Sequence, residues 1–109
     1  MTRQDLPTRR PNLTLGSDWQ GHALRITIGF DPATGAAREV FVNTASGGAM
    51  QKALADACVL ISIALQHGIA PKALAKSLGT MPDLLRGAGA TAPASPVGTV
   101  MAAILGVAA

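Results

Sequence analysis

Leu24, Ile26, Ile28 and Phe30 alternate with Arg25, Thr27 and Gly29. A period of two puts the apolar set on one face of a strand and the polar set on the other. A strand with one wet face belongs in an antiparallel sheet, so its neighbours should lie close in the sequence. Upstream, Leu13 and Leu15 alternate with polar residues, and downstream the run Arg38 to Asn43 holds Val40, Phe41 and Val42. Turn chemistry separates the runs. Ser17-Asp18-Trp19-Gln20-Gly21 lies between the first two. Asp31-Pro32-Ala33-Thr34-Gly35 lies between the second and third, where Pro fixes φ and Gly accepts a positive φ. Residues 12–43 therefore read as a three-stranded antiparallel meander with one apolar face.

Thr44-Ala45-Ser46-Gly47-Gly48 ends the alternation. Thr44 or Ser46 is the expected cap of a helix over 49–66, with Gly68 as its stop. Met50, Leu54, Ala57, Cys58, Ile61 and Leu65 share one face, and Gln51, Lys52, Asp56, Ser62 and Gln66 mark the other. Val59 and Ile63 intrude on the polar side, so the wheel is apolar beyond one stripe and calls for a second cover. Self-association over Val59 and Ile63 is one such cover. Ile69-Ala70-Pro71 opens a short helix over 71–78, because Pro suits the first helical position. Residues 80–94 are rich in Gly, Ala, Pro and Thr and read as a loop. Ser95-Pro96 then opens a last helix over 96–105. The fold class expected is α+β: a meander, one long helix and two shorter ones, in one domain over 12–109 behind an extended basic arm over 1–11.

Composition narrows what such a domain does. The chain has 109 residues, 49% hydrophobic and 14% charged, enough apolar material for one core. Aromatics are Trp19, Phe30 and Phe41 alone, which argues against stacking nucleic-acid bases on rings. Net charge is +3 with the basic groups spread out, apart from Arg9-Arg10, which argues against a dedicated nucleic-acid face. One cysteine, Cys58, excludes an internal disulfide and fits a reducing compartment. The polar start MTRQDLPTRRPN holds no apolar signal core, and the apolar stretch from Ala53 to Leu65 is interrupted by Asp56 and short of a bilayer span. The expectation is a cytoplasmic protein that does not enter a membrane.

No self-contained catalytic or metal site is legible. The acids Asp5, Asp18, Asp31, Glu39, Asp56 and Asp83 stand singly. Cys58, His22 and His67 lack the spacing of a zinc site. Cys58 falls on the apolar helix face and reads as a small buried hydrophobe. His67, at the end of the long helix, reads as a capping cation. The turn Ser46-Gly47-Gly48 ahead of a long helix has the free N–H groups and the room that attract anions, although no Lys follows in P-loop spacing. Arg9 and Arg10, flanked by Pro7 and Pro11, are placed to grip a phosphate or an acidic protein surface.

The order of these parts resembles the TSCPD-domain family, a module found at the C-terminus of adenosylcobalamin-dependent ribonucleotide reductases and also free-standing. The resemblance rests on Ile26-Thr27-Ile28-Gly29-Phe30, on Arg38-Glu39-Val40-Phe41-Val42-Asn43, on the turn Ser46-Gly47-Gly48, and on the helix end Leu60-Ile61-Ser62-Ile63-Ala64-Leu65-Gln66-His67-Gly68. Ala94-Ser95-Pro96-Val97-Gly98 closes the match, and the arm Leu6-Pro7-Thr8-Arg9-Arg10-Pro11 is similar to the lead-in of free-standing members. The family's naming motif, threonine-serine-cysteine-proline-aspartate, falls on Ala94 to Gly98, where only Ser95 is retained. Pro96 holds the cysteine position and Gly98 the acidic one.

The resemblance implies an association with ribonucleotide reduction or deoxynucleotide supply, without the reaction itself. The expectation is a non-catalytic binding or regulatory module without a cofactor. Its partner would be a protein, either the reductase or another host complex, with a homodimer as a further form. One alternative is a phage or prophage accessory protein that inhibits a host complex. A weaker alternative is a nucleotide-binding sensor using Gly47 and Gly48.

Overall fold

The computed structural model describes residue 3, residues 10–45 and residues 47–107. Three strands, β1 (Asn12–Trp19), β2 (His22–Phe30) and β3 (Ala37–Thr44), form an antiparallel sheet in the order β1-β2-β3. They are followed by α1 (Gly48–Gln66), α2 (Pro71–Ala75), β4 (Thr80–Pro82), β5 (Thr91–Pro93) and α3 (Pro96–Val107). The fold is α+β, as the alternating runs and the long helical period predict.

The β1–β2 connection is tighter than the turn residues imply. Ser17, Asp18 and Trp19 continue the strand, and only Gln20 (φ 48°) and Gly21 (φ 83°) turn the chain. A two-residue turn with both central φ positive matches the twist of the flanking strands, and Gly takes that conformation without strain. The Asp18 carboxylate accepts the Gly21 N–H at 3.0 Å. Between β2 and β3, the Asp31 side chain accepts the Ala33 N–H at 2.8 Å, while its backbone exchanges hydrogen bonds with Gly35 and Ala36.

The inner sheet face supplies Leu24, Ile26, Ile28, Val40 and Val42 to the core. Leu54, Cys58, Ile61 and Leu65 of α1 and Val100, Met101 and Ile104 of α3 complete it. The helix α1 packs on β3, and α3 lies toward β1 and β2.

Three expectations need correction. The Ser62 and Gln66 side chains are buried against β3, although their polarity assigned them to the wet face of α1. The edge of β3 presents unpaired backbone groups that a polar side chain can satisfy, so here polarity marks a contact. Ser62 bonds both backbone groups of Val40, Gln66 donates to the Arg38 carbonyl at 3.2 Å, and Gln51 donates to the Val42 carbonyl at 3.0 Å and accepts the Thr44 N–H at 2.6 Å. Second, the segment 80–94 is not a plain loop: β4 and β5 pair antiparallel from Thr80↔Pro93 to Pro82↔Thr91. Strands of three residues are too short to show a period. Third, α2 stops at Ala75, three residues before its expected end.

The helix α1 has 19 residues, and its length and mean hydropathy of 1.4 would suit a bilayer span. Its bonds from Gln51, Ser62 and Gln66 to β3 instead make it the helix that closes one side of the sheet.

Candidate functional site

The expected site residues separate into different environments. Arg9 and Ser46 lie outside the described residues. Arg10 crosses the outer face of the sheet to Glu39, with Nε donating to Oε2 at 2.6 Å and an Nη2 contact of 2.5 Å. The pair lies over Gly29, where a Cβ would meet Glu39 Oε2 at 2.8 Å and Arg10 Nε at 3.4 Å. Gly29 is therefore the floor that lets the ion pair lie flat. At the other described point of the arm, Arg3 Nε donates to Gln66 Oε1 at 2.5 Å. Both contacts tie the arm to β3 and the end of α1. Arg38 also reaches that end, its Nη1 donating to the Leu65 carbonyl at 2.7 Å. A cation there satisfies a terminal carbonyl and complements the helix dipole.

Gly47 is the N-cap of α1, with φ 61°, and Gly48 follows at φ 71°. Among the described residues no side chain caps the helix. Thr44, an expected cap, instead accepts the Gly47 N–H on Oγ1 at 3.2 Å. The turn is thus built on two left-handed glycines.

Val59 is 56% exposed and Ile63 is half-buried. Both border a groove between α1 and β3 that Phe41, Val42, Gln51, Ala55 and Gln66 also line. Leu60, next on α1, is exposed as well.

Cys58 is buried in the core, and that burial pushes its thiol up to about 11. His22 stacks on Trp19, ring centroids 5.9 Å apart, and His67 sits at the C-cap of α1. The fold does not gather them: among the described residues no group of three or more His, Cys, Asp or Glu could hold a metal ion.

The most conspicuous display went unmarked in the sequence. Between β4 and β5, Leu84 is 86% exposed and Leu85 99% exposed. Their turn is braced. The Asp83 N–H bonds the Ala90 carbonyl at 2.9 Å and the Arg86 N–H bonds the Asp83 carbonyl at 3.2 Å. Arg86 Nε meets the Asp83 carboxylate at 2.9 Å, and Nη2 donates to the Thr91 carbonyl at 2.8 Å. The adjacent apolar pair inside an Asp-to-Arg spacing of three was the available signal, but the reading of 80–94 as a loop says nothing of which side chains face water.

At the start of α3, Ser95 Oγ accepts the Gly98 N–H at 3.1 Å, and Pro96 opens the helix. A Cβ on Gly98 would meet Pro93 Cβ at 2.9 Å, so β5 and α3 touch at this point. The profile of the TSCPD domain matches residues 2–106, nearly the whole chain. The chain belongs to the TSCPD-domain family. No curated protein and no solved structure matches it.

In this TSCPD domain the segment Ala94 to Gly98, where the resemblance places the family signature, does structural work. Ser95 is an N-cap, Pro96 stands where the resemblance puts the cysteine, and Gly98 permits close packing on Pro93. A side chain at 98 would push α3 away from β5.

Proposed function

We propose that this TSCPD-domain protein is a non-catalytic binding or regulatory module tied to ribonucleotide reduction, and that it engages a protein partner through Leu84 and Leu85. The observation that carries the reading is the display of two neighbouring leucines on a turn fixed by Asp83 and Arg86. A braced turn loses little conformational freedom on docking, and exposed apolar side chains gain by leaving water. Val59 and Leu60 on α1 offer a second apolar contact area.

A non-catalytic role is supported by the work the polar groups already do. Asp18 and Asp31 hold turns, Glu39 holds Arg10, and Asp83 holds Arg86. The Cys58 thiol is protonated at neutral pH. The link to deoxynucleotide supply rests on the family.

Affinity purification from native cells, followed by mass spectrometry, tests the reading. The wild-type chain should retain a ribonucleotide reductase or another enzyme of deoxynucleotide supply. The Leu84→Ser/Leu85→Ser variant should lose at least about tenfold of it, as expected for central apolar anchors. Equal recovery by both forms, or no such enzyme with either, overturns the proposal.

A further inference from the structure

The sheet has two edges, and they are treated differently. On β3 the backbone groups of Arg38, Val40, Val42 and Thr44 point away from β2 and are met by Gln66, Ser62 and Gln51. Three side chains of α1 thus stand in for a fourth strand. On the opposite side β1 ends the sheet, and among the described residues no strand pairs with its outer edge; β5 meets it at its last residue, where Trp19 Nε1 donates to the Pro93 carbonyl at 3.2 Å.

The direction of the β1 backbone follows from one bond. Phe30 N–H donates to the Pro11 carbonyl at 2.9 Å, so the odd-numbered positions face β2. Asn12, Thr14, Gly16 and Asp18 then turn their N–H and C=O groups outward, and all four are exposed. Long open edges are usually blunted by Lys, Pro or a bulge. Over its eight residues β1 holds no Lys, Arg or Pro and pairs with β2 without a shift of register. The described points of the arm, Arg3 and Arg10, are bonded at α1 and β3, on the far side of the sheet.

We propose that β1 pairs antiparallel with β1 of a second copy, about a two-fold axis at Leu15, to make one continuous sheet. The strand is complementary to itself in this register. Asp18 of each copy lies opposite the neutral Asn12, so no like charges meet. Thr14 lies opposite Gly16, where nothing stands within 4 Å of a Cβ position. Leu15 lies opposite Leu15, and the two Leu13 side chains, each 44% exposed, flank them on the inner face. A two-fold contact uses the same patch twice and closes, which limits it to a dimer. The pairing leaves Leu84, Leu85 and Val59 free, and it does not rest on the function proposed above.

The register sets the test. Leu15 opposite Leu15 is a non-hydrogen-bonded pair, whose Cα separation of about 4.5 Å suits a disulfide. Under mild oxidation, Leu15→Cys should therefore cross-link nearly completely, and Thr34→Cys, in the exposed β2–β3 turn, should not. The buried native Cys58 stays out of the reaction. In sedimentation equilibrium the wild-type chain should be a dimer. Thr14→Pro removes the outward N–H, which an edge strand tolerates, and with it the exposed hydroxyl contact to Thr27 at 2.9 Å, which Thr14→Val removes alone. The Pro variant should weaken the dimer at least about tenfold relative to the Val variant, with the circular dichroism spectrum unchanged. A monomeric wild-type chain, or a Leu15→Cys that cross-links no faster than Thr34→Cys, overturns the proposal. So does a Thr14→Pro variant that folds and dimerises as tightly as Thr14→Val.

Discussion

Val40 and Ser62 are joined twice: the Val40 N–H donates to Ser62 Oγ at 3.0 Å, and the same hydroxyl donates to the Val40 carbonyl at 3.3 Å. Both residues are buried. One hydroxyl thus satisfies the donor and the acceptor that β3 exposes at its edge, and it locks α1 to the sheet. Ser62→Ala leaves both groups buried without that partner, which costs about 2 kcal/mol. Urea unfolding should show the loss as a lower midpoint with an unchanged slope. A loss below about 0.5 kcal/mol, within the range of ordinary surface changes, would refute the role given to Ser62.

Gly29, Glu39 and Arg10 form a second coupled set. A Cβ on Gly29 would meet Glu39 Oε2 at 2.8 Å, and the carboxylate can swing aside only by leaving Arg10. Gly29→Ala should therefore destabilise the wild type by roughly 1 kcal/mol and do little in a Glu39→Ala background. A double-mutant cycle by chemical denaturation reads the coupling, and additive effects would count against it.

Two glycines of α3 should respond in opposite directions. Gly106 has nothing within 4 Å of its Cβ position, whereas Gly98 has Pro93 Cβ at 2.9 Å and Pro93 Cα at 3.6 Å. Replacing either by Ala gains helix propensity of up to about 1 kcal/mol. At Gly98 that gain is outweighed by an overpacking cost of about 1–3 kcal/mol, because the obstacle is a proline ring on its own backbone. Thermal unfolding should place Gly106→Ala above the wild type and Gly98→Ala below it.

Burial raises the Cys58 thiol from its ordinary 9.0 to about 11. Below pH 9 the thiol is neutral in both folded and unfolded chains, and its contribution to stability is fully present. Above pH 9 the unfolded chain releases the proton first, so stability falls by up to about 1.4 kcal/mol per pH unit until the folded thiol ionises near pH 11. The difference in stability between wild type and Cys58→Ala, followed from pH 8 to pH 11 (the window set by the two thiol values), isolates this component. A pH-independent difference would contradict it. Ellman's reagent should react slowly with the native chain and rapidly in urea.

The sequence by itself determined the elements whose information is local. The alternation around Ile26 and Ile28 made a strand, Asp31 to Gly35 made a turn, and the apolar face of Leu54, Cys58, Ile61 and Leu65 made a core helix. The burial of Cys58 was legible for the same reason. Tertiary structure alone decided where the polar groups went. Gln51, Ser62 and Gln66 belong to the edge of β3, and Arg10 belongs to Glu39 over Gly29. A polar side chain is equally satisfied by water and by a distant backbone group, so periodicity cannot tell the two apart. Exposure of an apolar pair is non-local in the same way. The sequence places Leu84 and Leu85 in a loop without saying which way they face, and only the pairing of β4 with β5 left them on a turn facing water.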